Sequence, residues 1–289
     1  MSDALTRAAT QLIDPQGRVL AAAVRRLQLP LHGLDADLRW PVAVIGSGQP
    51  LLLLHGFDSS LLEFRRLVPL LQDHHELWIP DLFGFGFTPR PEALDYGPQR
   101  VLEHLELLLQ QMPPGPIGLI GASMGGSVAV VLARHMQERQ PGRISRLLLL
   151  APAGLTGRPM PLPPLLDRLG AAFLGLPAVR RGLCRQAFAD PDAAVGPAEE
   201  EIASLHVSTP GWGQALARFA RSGGFAGVGD PLPEPPIEVL WGAQDRILRA
   251  PQKQAAQQLL GERLVLVDDC GHLPHLDQPE QVAKTWLAA

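Results

Sequence analysis

A serine hydroxyl attacks a carbonyl only when a base takes its proton, and the base works best when a carboxylate holds its ring. The sequence places one residue of each kind for that chemistry. Gly121-Ala122-Ser123-Met124-Gly125 follows the apolar run 117–120 and opens a helical pattern, the G-x-S-x-G turn that lifts a nucleophile above a strand. Such a turn strains the serine backbone, so its neighbours must be small. The helix start behind it turns N–H groups toward a developing anion. Gly271-His272 comes just after the apolar run 264–267, and Asp245 just after the run 238–241, within Trp241-Gly242-Ala243-Gln244-Asp245. All three residues thus stand beyond strand ends, in the order Ser, Asp, His. The expected set is Ser123 as nucleophile, His272 as base and Asp245 as the orienting carboxylate.

Positioning these groups needs a rigid frame, and the apolar runs supply its outline. Runs at 51–54, 77–79, 117–120, 147–150, 238–241 and 264–267 are apolar but for Glu238 and Gly118, as in strands covered on both faces of a parallel sheet. Between them, 60–71 places Leu61, Phe64, Leu67, Val68 and Leu71 at helical spacing, and 101–109 and 123–138 read likewise. This alternation predicts an α/β fold built on a doubly wound, mostly parallel sheet. The stretch 27–44, with Gly33 at a turn, predicts an antiparallel edge hairpin. One region departs from the alternation. Residues 152–236 hold no strand-like run but 13 of the 29 prolines, clustered at 159–164 and 231–236, and read as a helical insertion. Leu162, Leu165, Leu166, Leu169, Phe173 and Leu176 follow helical spacing there, with Pro163 and Pro164 placed to start the helix. A second helix is expected from Pro177 past Leu183. The domain reading is a core of 1–151 and 237–289 with 152–236 inserted.

Composition narrows the function classes. Hydrophobic residues are 46% of the 289, enough for a large core, so the 29 Gly and 29 Pro are punctuation within a fold. A net charge of −4 gives no electrostatic reason to expect nucleic acid as partner. No run approaches the ~18 apolar residues of a membrane span, and residues 1–31, with Arg7, Arg18, Arg25 and Arg26, lack a signal-peptide core. Two cysteines, Cys184 and Cys270, give no disulfide framework. The expectation is a reduced, cytoplasmic protein acting on a small molecule. No phosphate loop or H-E-x-x-H motif occurs, and no cofactor is expected.

Taken with Leu54-His55-Gly56-Phe57 and Pro80-Asp81-Leu82-Phe83-Gly84-Phe85-Gly86, these motifs make the chain resemble the α/β-hydrolase family from about Leu51 to Leu287. The resemblance implies that the backbone N–H groups of Phe57 and Met124 form the oxyanion hole, and that 152–236 is a lid or cap. It implies acyl transfer to water. The favoured substrate is a small-to-medium hydrophobic carboxylic ester, met by cap residues such as Leu162, Leu169, Phe173, Val179 and Phe188. Meta-cleavage C–C bond hydrolases share the Ser-Met-Gly-Gly run, but they carry Asn before the serine and Trp after the histidine, where this chain has Ala122 and Leu273. A non-catalytic small-molecule receptor is the alternative from another class.

Other residues invite roles they need not have. Asp81 is expected to fix loop backbone and His55 to order the oxyanion loop. Asp268 and Asp269 stand too near His272 along the chain to face its ring. His272 and His275 have H-x-x-H spacing without an evident third ligand, so no metal is expected. Cys270 reads as a small buried thiol, and Glu199-Glu200-Glu201 as a solvated helix face.

Overall fold

The computed structural model describes residues 4–92 and 94–288. Eight strands form one sheet: β1 (Val24–Leu27), β2 (Trp40–Gly46), β3 (Gln49–Leu54), β4 (His75–Pro80), β5 (Ile117–Ala122), β6 (Ile144–Leu150), β7 (Ile237–Gly242) and β8 (Leu264–Val267). Their order is β1-β2-β4-β3-β5-β6-β7-β8. β1 and β2 form the antiparallel edge, and all pairs from β4 to β8 are parallel. Alternation across the pleat explains why leucine can fill the last four positions of both β3 and β6. Leu52, Leu54, Leu147 and Leu149 enter one core layer, while Leu51, Leu53, Leu148 and Leu150 enter the other. Both layers are roofed by helix.

The helices are α1 (Ala4–Gln11), α2 (Pro15–Ala22), α3 (Val68–Leu71), α4 (Pro98–Gln111), α5 (Met124–Arg139), α6 (Leu166–Leu174), α7 (Pro177–Ala187), α8 (Pro191–Ala194), α9 (Pro197–Leu205), α10 (Trp212–Ser222), α11 (Ala250–Leu260), α12 (Pro274–Asp277) and α13 (Pro279–Leu287). α4 and α5 cover one face of the sheet; α1, α2, α3 and α13 cover the other. The five helices α6–α10 all fall between β6 and β7. No helix among the described residues is long and apolar enough to cross a membrane.

Five local expectations are corrected. The helix expected over 60–71 divides into a 3-10 turn, Leu61–Arg66, and the short α3, because Pro69 has no N–H to donate back to Arg65. The helix expected from Leu162 begins only at Leu166. Leu162 and Pro163 each precede a proline, which disfavours helical angles there. The apolar face of α6 does not pack inward: Leu165, Leu166, Leu169 and Phe173 are all more than half exposed. β8 is half exposed, at Val265 and Leu266, because it is the sheet's last strand with no neighbour beyond it. Glu199, read as solvated, is buried and paired with Arg65 and Arg66. Arg65 reaches on to Asp14 at 2.7 Å, so α9 is tied to the core by charge.

His104 on α4 is fully buried between Trp40 (5.0 Å between centroids) and Phe83, with neither ring nitrogen hydrogen-bonded. Burial pushes its pKa from 6.5 down to about 3. Above pH 6.5 both folded and unfolded chains hold it neutral. Between about 6.5 and 3 only the unfolded chain takes the proton, so stability should fall with pH across that window. Replacing His104 with Phe should raise Tm at pH 7, and the gap between variant and parent should widen steadily down to pH 4. A gap that does not change with pH in thermal melts would refute this.

Candidate active site

β5 ends at Ala122, and α5 starts at Met124, leaving Ser123 alone at the turn with φ 51° and ψ −119°. A non-glycine residue rarely holds such angles, and the surroundings enforce them. The Ser123 amide donates to the Leu150 carbonyl at 2.8 Å, and its carbonyl accepts from Gly126 and Ala153. The glycines around it are required by contact: a Cβ at Gly125 would strike the Leu54 carbonyl, and one at Gly121 the Gly125 backbone.

The structure brings the three predicted side chains into one chain of hydrogen bonds. His272 Nε2 lies 2.9 Å from Ser123 Oγ, and His272 Nδ1 lies 2.9 Å from Asp245 Oδ2. Ser123 and His272 are nearly buried, at 9% and 5% exposure. Asp245 is fully satisfied as an anion. Its Oδ2 also accepts from Trp241 Nε1 at 2.9 Å, and its Oδ1 accepts from the amides of Ile247 (2.8 Å) and Leu248 (3.0 Å). Burial alone would raise its pKa; the His272 bond and those amides more than offset this and hold it below 3.8. With Asp245 ionised, His272 carries its proton on Nδ1 and presents a bare Nε2 to the serine.

The His272 loop is anchored by residues that no local motif marks. Asp277 Oδ2 accepts from Gly271 (2.6 Å) and from Ala189 (3.0 Å), while the His272 amide donates to the Ala187 carbonyl at 2.7 Å. Arg246 closes the same corner by donating to the carbonyls of Phe188 and Ala189. Trp241, next to the predicted Asp245, was findable as a ring ending a strand; Asp277 gave no comparable sign.

The loop after β3 runs against the serine: a Cβ on Gly56 would lie 3.3 Å from Ser123 Cβ. His55 braces this loop. Its ring sits within hydrogen-bond reach of the Gly56 carbonyl (2.8 Å, Nδ1) and of the Leu82 amide (3.0 Å, Nε2). Accepting from Leu82 requires a neutral ring, and burial pushes its pKa down to about 4. Asp81 receives the amides of Leu61 (2.7 Å) and Phe87 (2.8 Å), fixing two loops, and burial raises its pKa to about 7. Phe57 and Met124 have amides without a backbone acceptor among the described residues. Both line a cavity of about 290 Å³ with Ala153, Met160, Leu162, Phe219 and Phe225. No charged side chain lines it. Larger hollows lie between α6 and α10 and between α7 and α9, and touch none of these residues.

The remaining candidates have separate partners. Asp268 and Asp269 are exposed. His275 is buried, 3.0 Å from Glu63 and against the Phe64 ring. Cys270 is buried, and burial, with Asp277 and Asp245 nearby, pushes its thiol up to about 12, too high for a reactive thiolate.

Comparison with known proteins agrees with this architecture. The chain is 29% identical over 287 residues to the alpha/beta hydrolase domain-containing protein VTE7 of Arabidopsis thaliana, covering 94% of this chain and 84% of that protein. It is 32% identical over 115 residues to a 2-hydroxy-6-oxo-2,4-heptadienoate hydrolase of Pseudomonas putida, covering 39% of this chain and 40% of that one. Its fold is similar to that of a thermophilic esterase from Thermogutta terrifontis, with a TM-score of 0.73 at 24% identity over 91% of this chain and 98% of the esterase. The sequence model of the alpha/beta hydrolase family matches residues 51–285. With that match spanning most of the sequence and the sheet order, the chain belongs to the alpha/beta hydrolase family.

Proposed function

We propose that the protein is a serine hydrolase that cleaves a hydrophobic carboxylic ester through an acyl-enzyme on Ser123. The observation that carries this reading is the Ser123–His272–Asp245 chain, with both links at 2.9 Å; Met124, the residue after Ser123, lines an uncharged cavity. His272 Nε2 takes the Ser123 proton as Oγ attacks the ester carbonyl. Asp245 then stabilises the imidazolium, and the Phe57 and Met124 amides receive the oxyanion. His272 returns the proton to the departing alcohol. Water, deprotonated by the same His272, releases the acid. Residues 152–236 act as a cap over this edge, and the remainder as the catalytic core.

The cavity wall supports an apolar acyl group. Phe57, Phe219 and Phe225 line the cavity and pack with Phe85 in an aromatic series, with Phe219 centred 5.0 Å from Phe85 and 6.0 Å from Phe57. A dienoate carboxylate would find no cation among the lining residues, which favours the ester over C–C bond cleavage. In a panel of chromogenic esters, kcat/KM should rise about fourfold per methylene, at ~0.8 kcal/mol each, until the cavity is full. Ala220→Phe, on the cavity wall, should shorten the preferred acyl chain and leave acetate turnover within a few-fold. A ring-opened dienone run beside the esters tests the reaction type; its preference over every ester would overturn the esterase reading.

A further inference from the structure

Asp58 directly follows Phe57, and nothing in the mechanism above uses it. Its side chain is 7% exposed, and its backbone is left-handed, with φ 49°, a conformation that Asp and Asn tolerate better than most residues. Three donors from three separate parts of the cap meet on this one carboxylate. Trp212 Nε1, at the start of α10, donates to Oδ1 at 2.8 Å. His206 Nε2, just after α9, lies 3.1 Å from the same oxygen. Arg180 of α7 holds Oδ2 through one guanidinium nitrogen and the Ala203 carbonyl through another.

The His206 ring is 1% exposed, and its Nδ1 has no partner. That fits the neutral ring with its proton on Nε2, since a second N–H would be buried unbonded. Burial alone would raise the Asp58 pKa; the His206 bond and the Arg180 charge hold it below its usual value. Asp58 is therefore an anion one residue from an amide that must receive an anion. Left unpaired, it would oppose the developing oxyanion, and Arg180 cancels it.

The segment 55–58 is thus anchored at both ends. His55 fixes it from the sheet, and Asp58 fixes it from the cap, with the Phe57 amide between them. Resting on the hydrolase reading above, we infer that Asp58 is a positioning residue, which uses Arg180, His206 and Trp212 to aim the Phe57 N–H and so makes the oxyanion hole depend on a seated cap. The substrate never touches it.

Asp58→Asn keeps the backbone conformation and removes the charge, and Trp212→Phe keeps the ring and removes one donor. With an acetate ester, too short to reach far into the cap, Asp58→Asn should lower kcat 10- to 100-fold with KM within about threefold. Trp212→Phe should lower kcat about fivefold. Affinity for a trifluoromethyl ketone, which places an oxyanion in the hole, should fall by the same factor as kcat/KM, whereas the binding of the product acid should not change. If Asp58→Asn does not fold, Trp212→Phe decides the matter by the same comparison. Unchanged kcat and ketone affinity in folded variants, or a change confined to KM or Tm, would overturn the inference while leaving the hydrolase reading intact. A wild-type protein that neither turns over esters nor reacts with a fluorophosphonate would overturn both.

Discussion

Ser123→Ala should abolish ester turnover, lowering kcat by about 10⁵–10⁶-fold, the size of effect seen when a triad nucleophile is removed elsewhere. At 1.36 kcal/mol per tenfold this is about 7–8 kcal/mol of lost transition-state stabilisation. The loss should be chemical and not structural. The bonds that hold the elbow are made by the Ser123 backbone, to Leu150, Gly126 and Ala153, and truncating the side chain touches none of them. Tm should accordingly stay within a few degrees of the parent, and KM for any residual activity should change little. A variant retaining more than one part in a hundred of wild-type kcat would place the nucleophile elsewhere.

Asp245→Asn carries the second largest expected effect. The carboxylate accepts from four donors, and an amide cannot do the same. If the Asn oxygen stays on the amides of Ile247 and Leu248, its NH₂ faces the Trp241 N–H and the His272 ring. Two donors then meet at Trp241, and His272 Nδ1 is forced to accept. The ring proton moves to Nε2, where the serine proton must go. A wrong tautomer of this kind costs about 10⁴ in kcat in another serine hydrolase, and a similar drop is expected here. The buried Trp241 N–H left without an acceptor adds a stability loss of about 1–3 kcal/mol. The sign with pH follows from the depressed pKa of Asp245. Its stabilising contribution is full above about 3.8, the usual carboxylate value, and is lost as pH falls below it. The parent should therefore lose its stability advantage over Asp245→Asn in acid. An equal gap between the two at pH 3 and pH 7 in thermal melts would contradict that assignment.

Much of the site was legible because its signals are local. The glycines of Gly121-Ala122-Ser123-Met124-Gly125 sit where backbone crosses backbone, and that crowding leaves no room for a Cβ. Asp245 and His272 each follow a strand closely, so the sheet alone delivers them to one edge. Asp58 and Asp277 were not legible, because their meaning comes from partners up to 154 residues away in sequence. A helical repeat of leucines tells that α6 has an apolar face but not what the face meets. In the structure it meets solvent. Glu199 shows the reverse error: an acidic run read as solvated contains one member buried against Arg65 and Arg66. Periodicity reports an element's own faces, whereas its neighbours are chosen by tertiary packing.

In the proposed mechanism Ser123 carries the acyl group. Wild-type protein mixed with a slowly deacylating chromogenic ester, quenched in acid during the first turnover and digested, tests it by peptide mass spectrometry. One molar equivalent of acyl group is expected on the peptide bearing Ser123, released with the kinetics of turnover. Ester turnover with no adduct on Ser123, or with the acyl group on another residue, would contradict it.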